Sequence, residues 1–192
     1  MKLSTRDITL SGMFAALMAI GANITSFIVI GSVPITLTTF FSILAGLLLG
    51  SRLGAISMTV YALVGLAGAP VFSQFSGGLS ALVSPTFGFI ISYILVAYVV
   101  GKIVEWNASN HWFIIAALVG FVINYTFGTN WLYVAYKYLA STDAISYNVA
   151  WAWMAAPLPK DIILSTFAGI LAPRLYKSIN KNATIATDNS VA

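Results

Sequence analysis

Long apolar runs without charged residues restrict the possible folds of this chain more than any other feature. Hydrophobic residues occupy 59% of its 192 positions, and charged residues only 7%. A transmembrane helix needs about 20 predominantly apolar residues, so six of them use roughly 120 residues and leave only short loops. The sequence therefore predicts an all-α integral membrane protein with six transmembrane helices, because soluble domains are far less apolar.

The six predicted spans form a single membrane domain, residues 1–178, followed by a small polar stretch, residues 179–192, that is predicted to be a flexible tail. The spans are Ile8–Ile30, Val33–Gly50, Leu53–Ala69, Ser80–Gly101, Trp112–Tyr136 and Lys160–Tyr176. Arg52 marks a hairpin between the second and third spans. A polar loop, Ser141–Asn148, and a short apolar stretch, Val149–Ala156, precede the last span.

The basic residues indicate how the chain is oriented. Cytoplasmic loops of membrane proteins carry an excess of Lys and Arg. With both termini in the cytoplasm, only Lys137 and Lys160 face outside. The basic residues on the inside are then Lys2, Arg6, Arg52, Lys102, Arg174, Lys177 and Lys181. We therefore expect an N-in/C-in protein of the plasma membrane, with a structured outer loop between the third and fourth helices.

The sequence lacks the motifs of common enzyme sites. It has no Gly-rich phosphate loop that ends in Gly-Lys-Ser/Thr and no Gly-x-Ser-x-Gly elbow. The five acidic residues are scattered, and no cysteine is present to form disulfides or ligate a metal. The single histidine, His111, lies in a predicted loop. We therefore predict a binding protein rather than an enzyme, with no metal, no cofactor and no nucleic-acid partner.

A lysine and an aspartate stand together at the start of the last span, in Pro157-Leu158-Pro159-Lys160-Asp161. Proline favours the first position of a helix, which places Asp161 in the first turn. Asp161 there is compatible with simple capping and Lys160 with snorkelling to the headgroups. Ionisable residues at membrane depth, however, mark functional sites, so we predict that the pair contributes to a binding site.

A second group of candidate ligand-binding residues lies in the fifth span. Asn124, Gly128 and Trp131 follow i, i+4, i+7 spacing and so share one helical face. An amide, a gap and an indole on one stripe suit a ligand with polar and apolar parts, and Tyr125 is a further candidate beside them. The alternative is that Asn124 bonds a neighbouring helix and Trp131 belongs to an interfacial aromatic belt.

The segment PVFSQFSGG, residues 70–78, interrupts the apolar pattern with a proline and two glycines. Gly77 and Gly78 allow close backbone approach or a positive φ. Gln74 and Ser80 lie on either side of them and offer hydrogen-bonding groups. The segment is therefore predicted to be either a lid over an outer binding site or a plain turn.

Small residues form a stripe on the first span. Gly12 and Ala16 are four residues apart, as are Ala15 and Ala19. Such pairs permit close helix–helix approach in membranes. The stripe is predicted either to pack against the sixth span or to dock a partner membrane protein.

Four motifs follow one another along the six predicted spans, namely Phe75-Ser76-Gly77-Gly78, Ser84-Pro85-Thr86-Phe87-Gly88-Phe89, Gly128-Thr129-Asn130-Trp131-Leu132 and Pro157-Leu158-Pro159-Lys160-Asp161. In this order they resemble the biotin-specific substrate-binding subunits of energy-coupling-factor (ECF) transporters, the BioY family. The Ala15-x-x-x-Ala19 pair resembles the motif by which such subunits meet their coupling protein. The family often has Pro-Gly-Asp followed three residues later by lysine, whereas here Lys160 takes the glycine place and Leu164 the lysine place.

The resemblance, which covers about residues 5–178, implies a membrane-embedded biotin receptor that is open to the outside. Its partners would be biotin, a transmembrane coupling protein, two cytoplasmic ATPases and the lipid bilayer. In such a site Asp161 would accept the ureido N–H groups of biotin, and Trp131 and the loop phenylalanines would contact its apolar part. The donors to the carboxylate of biotin would be Lys160, Gln74, Ser80 or the backbone near Gly77.

Three other functions are also compatible with the sequence. A receptor for another vitamin would differ only in the details of its pocket. A stand-alone channel or facilitator would need a polar lining along several helices, and the polar residues within these spans are few. A structural or assembly subunit would leave Lys160 and Asp161 without a ligand.

Overall fold

The computed structural model describes residues 3–139 and 144–188, which are almost wholly helical. The helices are α1 (Thr5–Asn23), α2 (Thr38–Leu66), α3 (Phe87–Trp106), α4 (Asn110–Tyr138), α5 (Tyr147–Met154) and α6 (Leu158–Asp188). Lys2, the start of the predicted Ser141–Asn148 loop and residues 189–192 lie outside the described residues. Helix α6 continues to Asp188, and the flexibility predicted for residues 179–192 stays a prediction.

Helix α2 folds back on itself at Gly50, which has φ 78° and ψ 179°. A Cβ atom on Gly54 would lie 3.2 Å from both Ala45 O and the Gly46 Cα. Residues eight or nine positions apart in a straight helix are separated by about 12–13 Å. Residues 38–49 and 51–66 therefore form an antiparallel hairpin. The predicted hairpin is present, and it turns at Gly50 rather than at Arg52.

Among the described residues, three helices are long and apolar enough to cross a membrane, namely α2, which is folded at Gly50, α3 and α4. Helix α5 and residues 158–178 of α6 are bent by 54° at a short break and make a fourth candidate if they are counted as one span. The prediction of a helical membrane protein is thus confirmed. The finer prediction, six crossings with both termini inside, stays a prediction.

Small residues let these helices approach closely. A Cβ atom on Gly46 would lie 2.6 Å from Ala97 O, and one on Gly101 would lie 2.2 Å from Ser51 N. Helices α2 and α3 therefore pack backbone against backbone, as small residues allow in membranes. The core lies between them and α4, where Val100, Phe113 and Leu132 are fully buried.

The hairpin in α2 defines two ends of the bundle. The turn end holds Gly50, and there the Glu105 carboxylate at the end of α3 accepts Ser51 N at 2.7 Å. The loop end holds the start of α2, the connection of residues 67–86 and the start of α6, where the Lys160 ammonium donates to Thr36 O. The chain crosses between these ends repeatedly, so residues far apart in sequence meet at the loop end.

Three predicted span boundaries are wrong because apolar residues at the loop end are not helical. The first span is predicted to end at Ile30 and the second to begin at Val33, but α1 ends at Asn23, α2 begins at Thr38, and a short hairpin lies between them. Its strands, β1 (Val29–Ile30) and β2 (Val33–Pro34), pair antiparallel around Gly31, which has φ 63°. Likewise α3 begins at Phe87 rather than Ser80, because residues 73–75 and 79–83 form two 3₁₀ turns.

Candidate functional site

A cavity of about 260 Å³ lies at the loop end of the bundle. Both halves of α2, helices α3, α4 and α6, and the connection of residues 67–86 all contribute to its wall. Six residues predicted from the sequence line it, namely Gln74, Gly77, Ser80, Asn124, Tyr125 and Asp161. The structure thus brings together residues from the outer loop, the fifth predicted span and the last span, which are up to 87 positions apart.

Asp161 is the buried carboxylate of this cavity, with only 5% of its surface exposed. Its Oδ2 accepts the Tyr125 hydroxyl at 2.7 Å, and its Oδ1 lies 2.7 Å from the Lys160 Nζ. Oδ1 has no other hydrogen-bond partner among the described residues. Since an isolated charge in an apolar interior is strongly unfavourable, the lysine compensates the carboxylate. One oxygen is therefore fixed by tyrosine, while the other is left for a donor from a ligand.

A row of hydroxyl groups at the start of α2 and on α3 lines the same cavity as Asp161. The hydroxyls of Thr36 and Thr38 are 2.7 Å apart, and the Thr38 hydroxyl is also 2.7 Å from the Tyr93 hydroxyl of α3. All three residues line the cavity. Each hydroxyl can donate or accept, so this row can bind either a carbonyl or an N–H group of a ligand.

The Asn124 side chain joins three helices beside this row. Its Nδ2 donates to the Thr39 hydroxyl at 3.1 Å, and its Oδ1 accepts the Ser92 hydroxyl at 2.6 Å. All three side chains are buried. The alternative interpretation of Asn124, that it bonds neighbouring helices, therefore holds together with its place in the cavity wall. Its orientation is fixed before any ligand arrives.

The connection over the cavity has an unusual backbone. Gln74 and Phe75 have φ values of 58° and 54°, which non-glycine residues seldom adopt. Such conformations cost of order 1–3 kcal/mol each and persist only where surrounding contacts hold them. Phe72 is buried as the apolar anchor of the connection, but Phe75 is 60% exposed, so only one of the two loop phenylalanines is an anchor.

Four predicted site residues lie outside the cavity wall. Lys160 forms an ion pair with Asp161 and donates a hydrogen bond to Thr36 O, and it does not line the cavity. Gly78, with φ 92°, precedes a 3₁₀ turn. Gly128 packs behind Phe89, since a Cβ atom there would lie 2.1 Å from the Phe89 ring. The Trp131 indole donates to Ser84 O at 3.3 Å. The last two residues therefore support the wall from behind.

Sequence reasoning missed most of the hydroxyl groups in the cavity wall. Thr36, Thr38 and Thr39 form a compact polar group in an otherwise apolar region, and this was the available signal. Tyr61 and Tyr93 gave none, because a tyrosine in an apolar span is indistinguishable from a packing residue until its neighbours are known.

The small residues of α1 divide into two sets. Gly12 and Ala16 are exposed, and a Cβ atom on Gly12 would meet nothing within 4 Å. Ala15 and Ala19 are half-buried against the core. The Gly12/Ala16 pair therefore leaves an open flat surface on the bundle, whereas the other pair faces inward.

Fold and site together define a class of protein: a helical membrane protein with a binding cavity at one end, lined by a carboxylate, an amide and several hydroxyls. No group of three or more His, Cys, Asp or Glu side chains in residues 3–139 and 144–178 is arranged to hold a metal ion. The polar groups are already paired with one another across helices. This arrangement suits reversible binding of a small polar-and-apolar molecule.

Comparison with known proteins gives the particular family. The model of the BioY family matches residues 1–181. A protein of Bacillus subtilis (strain 168) named "Putative biotin transporter BioYB" is 48% identical over 185 residues, which are 94% of this chain and 92% of that one. "Biotin transporter BioY" of Thermotoga maritima is 33% identical over 172 residues, which are 90% and 96% of the two chains. This chain belongs to the BioY family.

The fold has a counterpart among solved structures. The crystal structure of the S-component for biotin from an ECF-type ABC transporter matches with a TM-score of 0.79 over 92% of this chain and 95% of that chain. The two sequences are 23% identical, so this likeness supports the fold alone.

Proposed function

We propose that this protein is the S component of an ECF-type transporter, a membrane subunit that binds biotin with high affinity for uptake. The observation that carries the proposal is Asp161, a buried carboxylate with one oxygen fixed by Tyr125 and the other left for a ligand donor. Biotin offers two ureido N–H groups to such an acceptor. A charge-assisted hydrogen bond is stronger than a neutral one, which suits a receptor for a scarce vitamin.

The remaining groups of the cavity match the rest of the ligand. The hydroxyls of Thr38 and Tyr93 line the same cavity as Asp161 and can donate to the ureido carbonyl. Gln74 and Ser80 are exposed at the mouth and supply donors for the valerate carboxylate. Phe89, Phe72, Ile90 and Met154 supply apolar wall for the bicycle, in place of Trp131. In this arrangement Lys160 positions Asp161 instead of binding the ligand carboxylate.

The size of the ligand is compatible with tight binding. Nanomolar affinity corresponds to about −12.3 kcal/mol, which for roughly 16 non-hydrogen atoms is about 0.8 kcal/mol per atom. That is below the ceiling of about 1.5 kcal/mol per atom for very small ligands. The cavity of about 260 Å³ is slightly smaller than the usual small-molecule site of about 300–1,000 Å³, which suits a ligand with few atoms.

The proposed arrangement in the membrane has six crossings, with both termini in the cytoplasm and the loop end outside. Its support is the excess of basic residues on the predicted inner side, together with the reversal of α2 at Gly50. The proposed partners are a transmembrane coupling protein, which docks on the open surface at Gly12 and Ala16, and two cytoplasmic ATPases. The absence of a phosphate loop from this sequence agrees with ATP hydrolysis by other subunits.

Calorimetry on the purified protein tests the ligand. Biotin is titrated into protein from cells grown without it, with thiamine and riboflavin as competing vitamins. We expect nanomolar binding of biotin alone, and saturation with one ligand per chain. Micromolar or absent biotin binding, or tighter binding of another vitamin, would overturn the assignment. A stand-alone channel is tested in the same preparation, since proteoliposomes should not release trapped small solutes.

A further inference from the structure

Asn23, the last residue of α1, attaches that helix to the connection over the cavity. Its Oδ1 accepts Phe75 N at 2.7 Å. Its Nδ2 donates to Val71 O at 3.4 Å and to Ala19 O, one turn back in α1, at 2.9 Å. The side chain is 7% exposed, and both N–H groups of the amide have an acceptor. A single amide therefore contacts the connection on both sides of Phe72.

A second polar side chain, three residues beyond the end of α1, completes this attachment. The Ser26 hydroxyl, which is fully buried, accepts a hydrogen bond from Gln74 N at 3.2 Å. The two backbone N–H groups bound by Asn23 and Ser26 thus belong to Gln74 and Phe75, the two non-glycine residues with positive φ among the described residues. The side-chain acceptors of Asn23 and Ser26 are what compensates this unfavourable backbone geometry.

Movement of this segment would change the cavity directly. Gln74 lines the cavity and is exposed at its mouth, and its neighbours Ser73, which is half-buried, and Ser76, which is exposed, line the wall as well. The segment is anchored before the strained pair by buried Phe72 and after it by the Gly78 N–H, which donates to Gly65 O at 2.7 Å. Between these two anchors, the contacts of Asn23 and Ser26 hold Gln74 in position.

We propose that Asn23 is a positioning residue for ligand retention: it holds residues 73–77 closed over the cavity and thereby limits the rate at which the ligand leaves. Without its acceptor, Gln74 and Phe75 relax to the extended backbone that non-glycine residues prefer, and the mouth opens. Asn23 touches no cavity surface itself. The identity of the ligand in this inference rests on the proposed function.

The chain offers a matched control in Asn130. Its Nδ2 also donates to the carbonyl one turn back, Thr126 O, at 2.7 Å, but its side chain is exposed on α4 away from the cavity. Asn23→Leu and Asn130→Leu therefore remove the same kind of local bond with a similar change of volume. Only the first also removes the contact to Phe75, whereas the second removes an exposed 3.3 Å contact from the Tyr147 hydroxyl of α5.

The experiment is a chase of bound radiolabelled biotin with excess unlabelled biotin. For Asn23→Leu we expect a dissociation rate about tenfold higher, since a lost hydrogen bond of ordinary strength corresponds to that factor. The association rate should change less than twofold, a split that general destabilisation of the fold does not produce. Ser26→Ala, a milder change, should raise the dissociation rate about threefold. Asn130→Leu should leave both rates unchanged.

Amide hydrogen exchange in the ligand-free protein separates this inference from the proposed function. Faster exchange at Gln74 and Phe75 in Asn23→Leu, with unchanged exchange in the middle of α3, supports the role of Asn23 even if biotin is not the ligand. If the wild-type protein binds biotin but both exchange and dissociation are unchanged in Asn23→Leu, the inference is wrong. If Asn23→Leu does not fold, an unchanged dissociation rate in Ser26→Ala leads to the same conclusion.

Discussion

Two lysine–carboxylate pairs, one at each end of the bundle, show how the same chemistry serves two purposes. At the loop end the Lys160 Nζ is 2.7 Å from Asp161, with 28% and 7% of the two side chains exposed. At the turn end the Lys102 Nζ is 3.1 Å from Glu105, with 56% and 41% exposed. The two pairs therefore differ in how deeply they are buried.

The difference lies in what else each carboxylate contacts. Both contacts of Glu105 Oε1 are to Ser51, through its N–H at 2.7 Å and its hydroxyl at 2.8 Å, so this carboxylate caps the second half of the α2 hairpin. Asp161 Oδ1 has no hydrogen-bond partner among the described residues beyond the lysine. One carboxylate is satisfied within the fold, and the other keeps an acceptor for a ligand. The two ends should therefore respond differently to mutation.

The largest expected effect concerns the surface of α1 that is proposed to bind the coupling protein. Gly12→Trp places a bulky ring on the open surface of α1, where nothing lies within 4 Å of a Cβ atom. We expect complete loss of co-purification with the coupling protein, with biotin affinity unchanged. Ala19→Trp is less diagnostic because Ala19 is half-buried. Retained association in Gly12→Trp would show that the coupling protein docks elsewhere.

The second-largest expected effect comes from replacing the lysine of each pair. Lys160→Met leaves Asp161 buried without its cation, which costs about 3–5 kcal/mol when a pair is fully buried. Since Lys160 is 28% exposed, we expect a loss of about 2 kcal/mol of unfolding free energy, together with weaker biotin binding by calorimetry. Lys102→Met is the control and should leave biotin binding unchanged, because its pair is exposed and distant. Equal effects of the two changes would refute the distinction.

Replacing the carboxylate by an amide tests the acceptor itself. Asp161→Asn keeps the shape but loses the charge and presents an N–H group to the ligand. We expect biotin binding to weaken by about 1–3 kcal/mol, the range for losing a charged hydrogen-bond partner. Unchanged affinity by calorimetry would remove Asp161 from the site.

The turn end was easier to predict than the loop end, for a physical reason. Helix α4 follows from one long apolar segment, and the hairpin of α2 at the turn end follows from Arg52 between two apolar segments. The hairpin of residues 29–34 was missed because its residues are as apolar as a span. Hydropathy measures how readily a segment leaves water, and it does not distinguish a helix from an apolar cover over a cavity.

The wall of the cavity was beyond sequence reasoning for a related reason. The Thr38 and Tyr93 hydroxyls meet only because α2 and α3 pack together, across 55 positions. Asn23 likewise lies inside the predicted first span, and its role at the loop end becomes visible only from the hydrogen bond that it accepts from Phe75 N. Asp161 and Asn124 could be predicted because a charge or an amide in an apolar span is exceptional.

The smallest expected effect concerns the turn end alone. Glu105→Gln weakens the charge-assisted bonds to Ser51, and because Glu105 is 41% exposed we expect a loss of about 1 kcal/mol of unfolding free energy. In a domain of this size that corresponds to about 2–4 °C in thermal unfolding. Biotin affinity should remain unchanged, in contrast to Asp161→Asn. A weakened biotin affinity in Glu105→Gln would mean that the conformation of the hairpin turn affects the cavity. The two ends could then no longer be treated as independent.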